Sequence, residues 1–264
     1  MKKTFGRIYV LIVMLFLYLP ILALIVLSFN DVKSMSVWGG FSLKWYDELF
    51  HSSLMMSAII NTFSIGILAA LIATVVGTLA VLGMAAMRPR TQNIMLGINN
   101  IPMLNADIVT GIALMLFFLM VGVPRGYMTV LFSHATFCIP YVILSVRPRL
   151  NRNTDGLFEA ALDLGATERY AFRKIVLPEL WPGITSGFLL SFTMSVDDFI
   201  ITYFTRGAGI NTISTLIYSE VKVGIRPSLF ALSTIIFIVA LAVLLIVNAR
   251  QDRSDRAEQA LDVI

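Results

Sequence analysis

Long apolar runs separated by short polar stretches dominate this chain. A helix needs about 20 mostly apolar residues to cross a bilayer, and six runs meet that length, at residues 8 to 29, 60 to 87, 98 to 121, 127 to 146, 183 to 204 and 229 to 248. The pattern therefore predicts an all-α, polytopic membrane protein with six transmembrane helices. Its one transmembrane domain, residues 1–264, comprises an extra N-terminal helix, a core over about 60 to 248, a polar loop at 147 to 182 and a short tail at 249 to 264. Lys2-Lys3 before the first run resembles a signal peptide in charge. The run is longer than the usual core of about 7 to 15 residues and no small-x-small site closes it, so a retained anchor is expected.

Composition agrees with lipid as the main solvent: 58% of residues are hydrophobic and 14% are charged, with a mean hydropathy of +0.84. The net charge of +4 does not point to nucleic acid, because the basic residues are dispersed between apolar runs instead of forming a stripe with aromatics. Their distribution reads as topology. With both termini in the cytoplasm, Lys2, Lys3, Arg7, Arg88, Arg90, Arg147, Arg149, Arg152, Arg169, Arg173, Lys174, Arg250, Arg253 and Arg256 fall inside. Lys33, Lys44, Arg125, Arg206, Lys222 and Arg226 fall outside, and this 14 to 6 ratio satisfies the positive-inside rule. The lone Cys138 lies within the fourth run, so neither a disulfide framework nor a thiolate metal site is expected.

Between runs, Ser36 to Phe50 mixes Trp38, Trp45 and Tyr46 with charges and suits a short helix at the headgroup level. Ala69, Ala73 and Gly77, with Gly66 and Ala70 one step round, form small faces for close helix packing, within this chain or against a partner. The longest loop, Arg147 to Pro182, reads as two helices. The first carries Glu159-Ala160-Ala161 and stops at Gly165; Thr167 caps the second, which Pro178 and Pro182 are expected to close before the fifth span.

Glu159-Ala160-Ala161, three residues, Gly165, nine residues, then Ile175-x-Leu177-Pro178 resembles the EAA motif of binding-protein-dependent ABC importer permeases. The resemblance runs from about Asn61 to the C-terminus and implies the type I importer fold in the bacterial inner membrane. It makes the loop a coupling helix that docks on an ATPase. Glu159, Ala160, Ala161 and Gly165 would then form the docking element, while Ile175, Leu177 and Pro178 fix it to the fifth span. Ser191-Phe192 through Val196-Asp197-Asp198-Phe199, with Ile213-Ser214-Thr215-Leu216 and Ile217-Tyr218, is similar to the polyamine (spermidine and putrescine) branch of that family. The partners so implied are a homologous permease, two ATPase subunits and a periplasmic binding protein. No phosphate-loop pattern G-x-x-x-x-G-K-[ST] occurs, so the chain is not expected to be an enzyme or to hold a cofactor; ATP and magnesium belong to the partner ATPase.

Asp107, Asp197 and Asp198 fall within apolar runs that contain no Lys or Arg. An acid at mid-bilayer costs about 2.5 to 3.5 kcal/mol on insertion scales, so such residues face a cavity or a partner. Acids without matching bases suit a path for a small cation; the alternative is a structural hydrogen bond. On a continuous helix Asp198 shares its face with Ser191, Ser195, Thr202 and Thr205, whereas Asp197 has Met194, Ile201 and Phe204, so Asp198 is the expected contact. Phe199 and Tyr203 offer cation–π faces. Neither His51 nor His134 has a companion at ligand spacing, so no metal site is expected. Three other readings stay open. The chain could carry another small solute within the same family, act as a self-sufficient secondary transporter or channel, or serve as an assembly anchor. No convincing inverted repeat supports the secondary transporter.

Overall fold

The structure is a computed structural model that describes residues 2–150, 152–239 and 241, with side chains for these except residues 2–5 and 152–155. The second part of the sixth expected span and the tail at 249 to 264, with Arg250, Arg253 and Arg256, lie outside the described residues, as do the side chains of Lys2, Lys3 and Arg152. The described elements are helical. They fall into two compact units, residues 57–216 and residues 1–56 with 217–264.

In the second of these units, α1 (Lys2–Ser28) leads to a loop organised by Asn30. The buried Asn30 amide donates to the carbonyls of Ser34 at 3.0 Å and Val37 at 2.8 Å, and its oxygen accepts from Gly39 N–H at 2.8 Å. The expected interfacial helix is present but shorter, α2 (Lys44–His51), and is anchored by its aromatics: Trp45 Nε1–H donates to the Asn30 carbonyl and Tyr46 Oη meets Ser28 Oγ at 2.8 Å.

The larger unit holds most of α3 (Ser53–Ala85), then α4 (Pro89–Leu104), α5 (Asp107–Val121), α6 (Tyr127–Val146), α7 (Arg152–Asp163), α8 (Glu168–Ala171), α9 (Leu177–Asp197) and α10 (Ile200–Thr205). Small residues allow α3, α6 and α9 to approach closely, as in lipid-exposed bundles. A Cβ on Gly77 would stand 2.8 Å from Val142 of α6, and one on Gly66 would stand 3.0 Å from Val196 of α9. Ala73 and Val81 of α3, Val142 and Val146 of α6, Leu180 of α9 and Ile201 of α10 share one buried core. The small faces thus serve packing inside this chain.

Two expectations about spans are corrected. Among the described residues four helices are long and apolar enough to cross a membrane, or five if the α4–α5 pair counts as one, and the sixth expected run is described only in its first part. The third run, 98 to 121, is not one helix: α4 and α5 meet at 103°. Pro102 removes a backbone donor late in α4, and Asn105 and Ala106 are both extended, while Asp107 takes the first turn of α5, where the N-terminal dipole favours an acid. The fifth run begins and ends elsewhere: helix is continuous from Glu168 to Asp197 and breaks at extended Asp198. Finally, α11 (Ile213–Val223) is followed by α12 (Ser228–Val239), the described beginning of the sixth run.

Candidate functional site

Two constructions in the larger unit carry chemistry: the polar loop and the pair of helix breaks. In the loop, α7 ends as the sequence predicts. Gly165 is left-handed (φ +89°); its N–H donates to the Leu162 carbonyl at 2.9 Å, and Ala166 N–H donates to Ala161 at 3.0 Å. This double closure satisfies the orphan carbonyls of α7 and suits glycine, since other L-residues pay about 1 to 2 kcal/mol there. Thr167 caps α8, its Oγ1 accepting from Tyr170 N–H at 3.4 Å.

The expected stop at Pro178 does not occur. Residues Phe172–Val176 form a π turn, in which Leu177 N–H reaches back five residues to the Phe172 carbonyl, and α9 follows without a break. The wider turn leaves room before Pro178, which takes an opening position of α9 where its missing N–H costs little; Pro182 is carried inside the helix. The part of the loop after Thr167 and the span behind it are thus one 30-residue helix, Glu168 to Asp197. Its inner side is tied to the core: Val176 and Leu180 belong to the cluster shared with α3 and α6, and Phe158 and Phe172 pack against it. Glu159, Ala160, Gly165 and Pro178 are exposed, Leu164 is 90% exposed, and Ala161, Ile175 and Leu177 are half-buried. The motif therefore offers an outward surface on a base welded to the spans.

At the breaks, Asp198 is enclosed by protein groups. Its side chain is 5% exposed. Its Oδ1 accepts from Ile201 N–H at 3.2 Å, and its Oδ2 accepts from Thr202 N–H at 2.9 Å and Thr202 Oγ1 at 3.1 Å, so it caps α10. Ser214 Oγ donates to the Asp198 carbonyl at 2.8 Å. His134 of α6 lies against the same carboxylate, Nε2 to Oδ2 at 3.3 Å, with Nε2 2.8 Å from Thr202 Oγ1 and Nδ1 2.7 Å from Ser195 Oγ. The shared helical face expected for Asp198 is replaced by this convergence across a break: Ser195 and Thr202 join it, while Ser191 pairs with Cys138 and Thr205 Oγ1 donates to the Ile201 carbonyl. His134 was missed as a partner because its companions stand more than 60 residues away.

Asp197, the last residue of α9, is exposed, as is Asp107 at the start of α5. One turn beyond Asp107, Gly111 lies against α10; a Cβ there would be 3.4 Å from the Ile200 carbonyl and 3.5 Å from the Ile201 Cα. The two breaks are therefore neighbours, and each carries an exposed acid. Thr202 is buried in the His134 network, and half-buried Phe199 lies 5.5 Å from the Tyr203 ring. Tyr203 already faces the Arg206 guanidinium at 5.8 Å, and the cavity of about 520 Å³ that it lines also holds Arg125. Among the described residues no three His, Cys, Asp or Glu gather as a metal site.

The sequence matches the family described as binding-protein-dependent transport system inner membrane component over residues 77–257. It is 37% identical to the spermidine/putrescine transport system permease protein PotC of Haemophilus influenzae, covering 93% of this chain and 96% of that one. It is 36% identical to PotC of Escherichia coli K12 (87% of each chain) and 39% identical to the putrescine transport system permease protein PotI of the same strain (84% of this chain and 81% of that one). The fold resembles a crystal structure of a bacterial ABC transporter involved in the import of the acidic polysaccharide alginate, with a TM-score of 0.72 at 15% identity over 95% of this chain and 96% of that one.

Proposed function

This chain belongs to the inner-membrane component family of binding-protein-dependent transport systems, and on that footing we propose that it is the permease subunit of an ATP-driven importer whose cargo is a polyamine. The single observation that carries the importer mechanism is the continuous helix from Glu168 to Asp197, because α8 runs into a span without an intervening hinge loop and α7 is packed through Phe158 against the core that Val176 and Leu180 of that helix enter. The polyamine rests on the spermidine and putrescine permeases similar to it over most of their length and on two exposed acids at adjacent breaks.

In this reading ATP is hydrolysed by two partner ATPase subunits, which hold ATP and magnesium, while a homologous permease completes the pathway and a periplasmic binding protein delivers the solute. Both termini and the loop at 147 to 182 lie in the cytoplasm, as the distribution of Lys and Arg supports. Glu159, Ala160, Ala161 and Gly165 meet the ATPase, and Ile175, Leu177 and Pro178 pass its motion to α9. Along the path Asp197 and Asp107 meet the cation, with Phe199 and Tyr203 beside them; Asp198 and Thr202 act from behind the path wall. This reverses the order of the two adjacent acids expected on a continuous helix, because the break turns Asp198 inward.

The test is uptake by proteoliposomes containing this chain with its partner subunits and binding protein. Putrescine or spermidine accumulation that requires ATP inside and the binding protein outside supports the reading. Uptake by this chain alone, driven by an ion gradient, overturns it.

A further inference from the structure

We infer that His134 is a positioning residue for solute passage: by holding the Asp198 carboxylate, it fixes the break between α9 and α10 and thereby the direction in which Asp197 is presented. This rests on the cation-path reading above and deepens it. His134 is buried on α6 and bridges both sides of the break, with Ser195 on α9 at 2.7 Å and Thr202 on α10 at 2.8 Å. One neutral tautomer satisfies every group in the chain. Ser195 O–H donates to Nδ1, Nε2–H donates to Thr202 Oγ1, and Thr202 O–H donates to Asp198 Oδ2.

The direction of this chain matters because the break contains extended backbone at membrane depth, tolerated only where its polar groups are satisfied from the protein. Asp198 supplies the acceptors for the first amides of α10, and Ser214 supplies a donor for its carbonyl. Neither of those contacts ties the break to another span. Among the described residues His134 does so, through α6, which is packed along α9 from Gly183 to Ser191. Asp197 immediately precedes the fixed residue, so a freed Asp198 lets Asp197 turn with it.

Histidine-to-leucine at this site removes both ring nitrogens at similar bulk, whereas glutamine returns an N–H donor at the reach of Nε2. In the complete transporter, radiolabelled putrescine uptake by His134→Leu is expected to show a KM raised about tenfold with Vmax changed less than about twofold, and His134→Gln to stay within about threefold of wild type. In an Asp197→Asn background His134→Leu should add no further rise, since the residue acted through that acid. A readout independent of solute accompanies this. With Cys138→Ala and Asp197→Cys, modification by a membrane-impermeant thiol reagent should change at least about threefold on adding His134→Leu, and not on adding His134→Gln. An unchanged modification rate overturns the inference, as does a KM rise that persists in full without Asp197. A changed rate with a normal KM for Asp197→Asn keeps the positioning role and overturns the cation path instead. Should His134→Leu fail to assemble, Ser195→Ala, which removes the donor to Nδ1, takes its place in the same assays with the same deciding outcomes.

Discussion

Two neighbouring aspartates on one chain segment have opposite surroundings, one exposed and one buried, and the difference is a matter of hydrogen-bond accounting. Both carboxylate oxygens of Asp198 accept from buried donors, Oδ1 from Ile201 and Oδ2 from the Thr202 amide and hydroxyl. Asparagine there sets an N–H₂ against a donor, and leaving one buried donor unpaired costs about 1 to 3 kcal/mol. Asp198→Asn should therefore lower the melting temperature of the purified transporter in detergent, whereas Asp197→Asn should leave it within a degree or two and instead weaken putrescine uptake. Equal melting with equal uptake in both would show that neither role is right. At the other end of the chain, the Lys44 ammonium, 2.7 Å away, holds the Asp31 carboxyl below its ordinary range by hydrogen bond and by charge. A depressed folded value stabilises above the unfolded value of about 3.9 and is lost as pH falls through the folded one. Lys44→Met should accordingly raise the Asp31 midpoint toward the ordinary value in a carboxylate-resolved NMR titration.

At the scale of elements, Gly165 and the π turn decide how the loop is joined to α9. Gly165→Val places a β-branched residue at φ +89°, where no neighbouring atom is in the way but the backbone itself opposes it. The variant should reach the membrane yet lose most ATP-dependent uptake; normal uptake would remove the docking role. Deleting Ile175 removes the extra residue of the π turn and rotates α7 by about 100° relative to α9. Assembly with the ATPase, assayed by co-purification, should fall sharply, while Ile175→Leu should assemble normally. A different constraint joins α10 to the loop before α6: a Cβ on Gly207 would meet the Arg125 carbonyl oxygen head-on. Backbone cannot yield as a side chain does, so Gly207→Ala should destabilise the unit by about 1 to 3 kcal/mol, read as a shift in thermal unfolding.

For the whole molecule, topology is the prediction on which the rest depends: a reporter fused after Arg152 should register the cytoplasm, and reporters after Ser34 or Lys222 the outer side. An outward signal at Arg152 would remove the ATPase from reach of the loop. Much of this protein was legible in one dimension. Apolar run length found α1, α3 and α6, because lipid punishes unpaired backbone and so enforces long helices. The stop at Gly165 and the cap at Thr167 were equally legible, since both depend on residues within one turn. Run length failed at 98 to 121 and 183 to 204, where apolar composition continues through a bend and a break that are stabilised from outside the segment. The prolines misled for a related reason: a proline forbids one hydrogen bond, and whether the helix ends or widens into a π turn is decided by the core that Val176 and Leu180 enter. Sequence by itself determined the solvent, the helical class, the family motif and the presence of three acids without bases in the apolar runs. Only the tertiary structure decided which acid faces outward, because Asp198 is enclosed by Ile201 and Thr202 and, through Thr202, by His134, distant along the chain and adjacent in space, while Asp197 is left exposed.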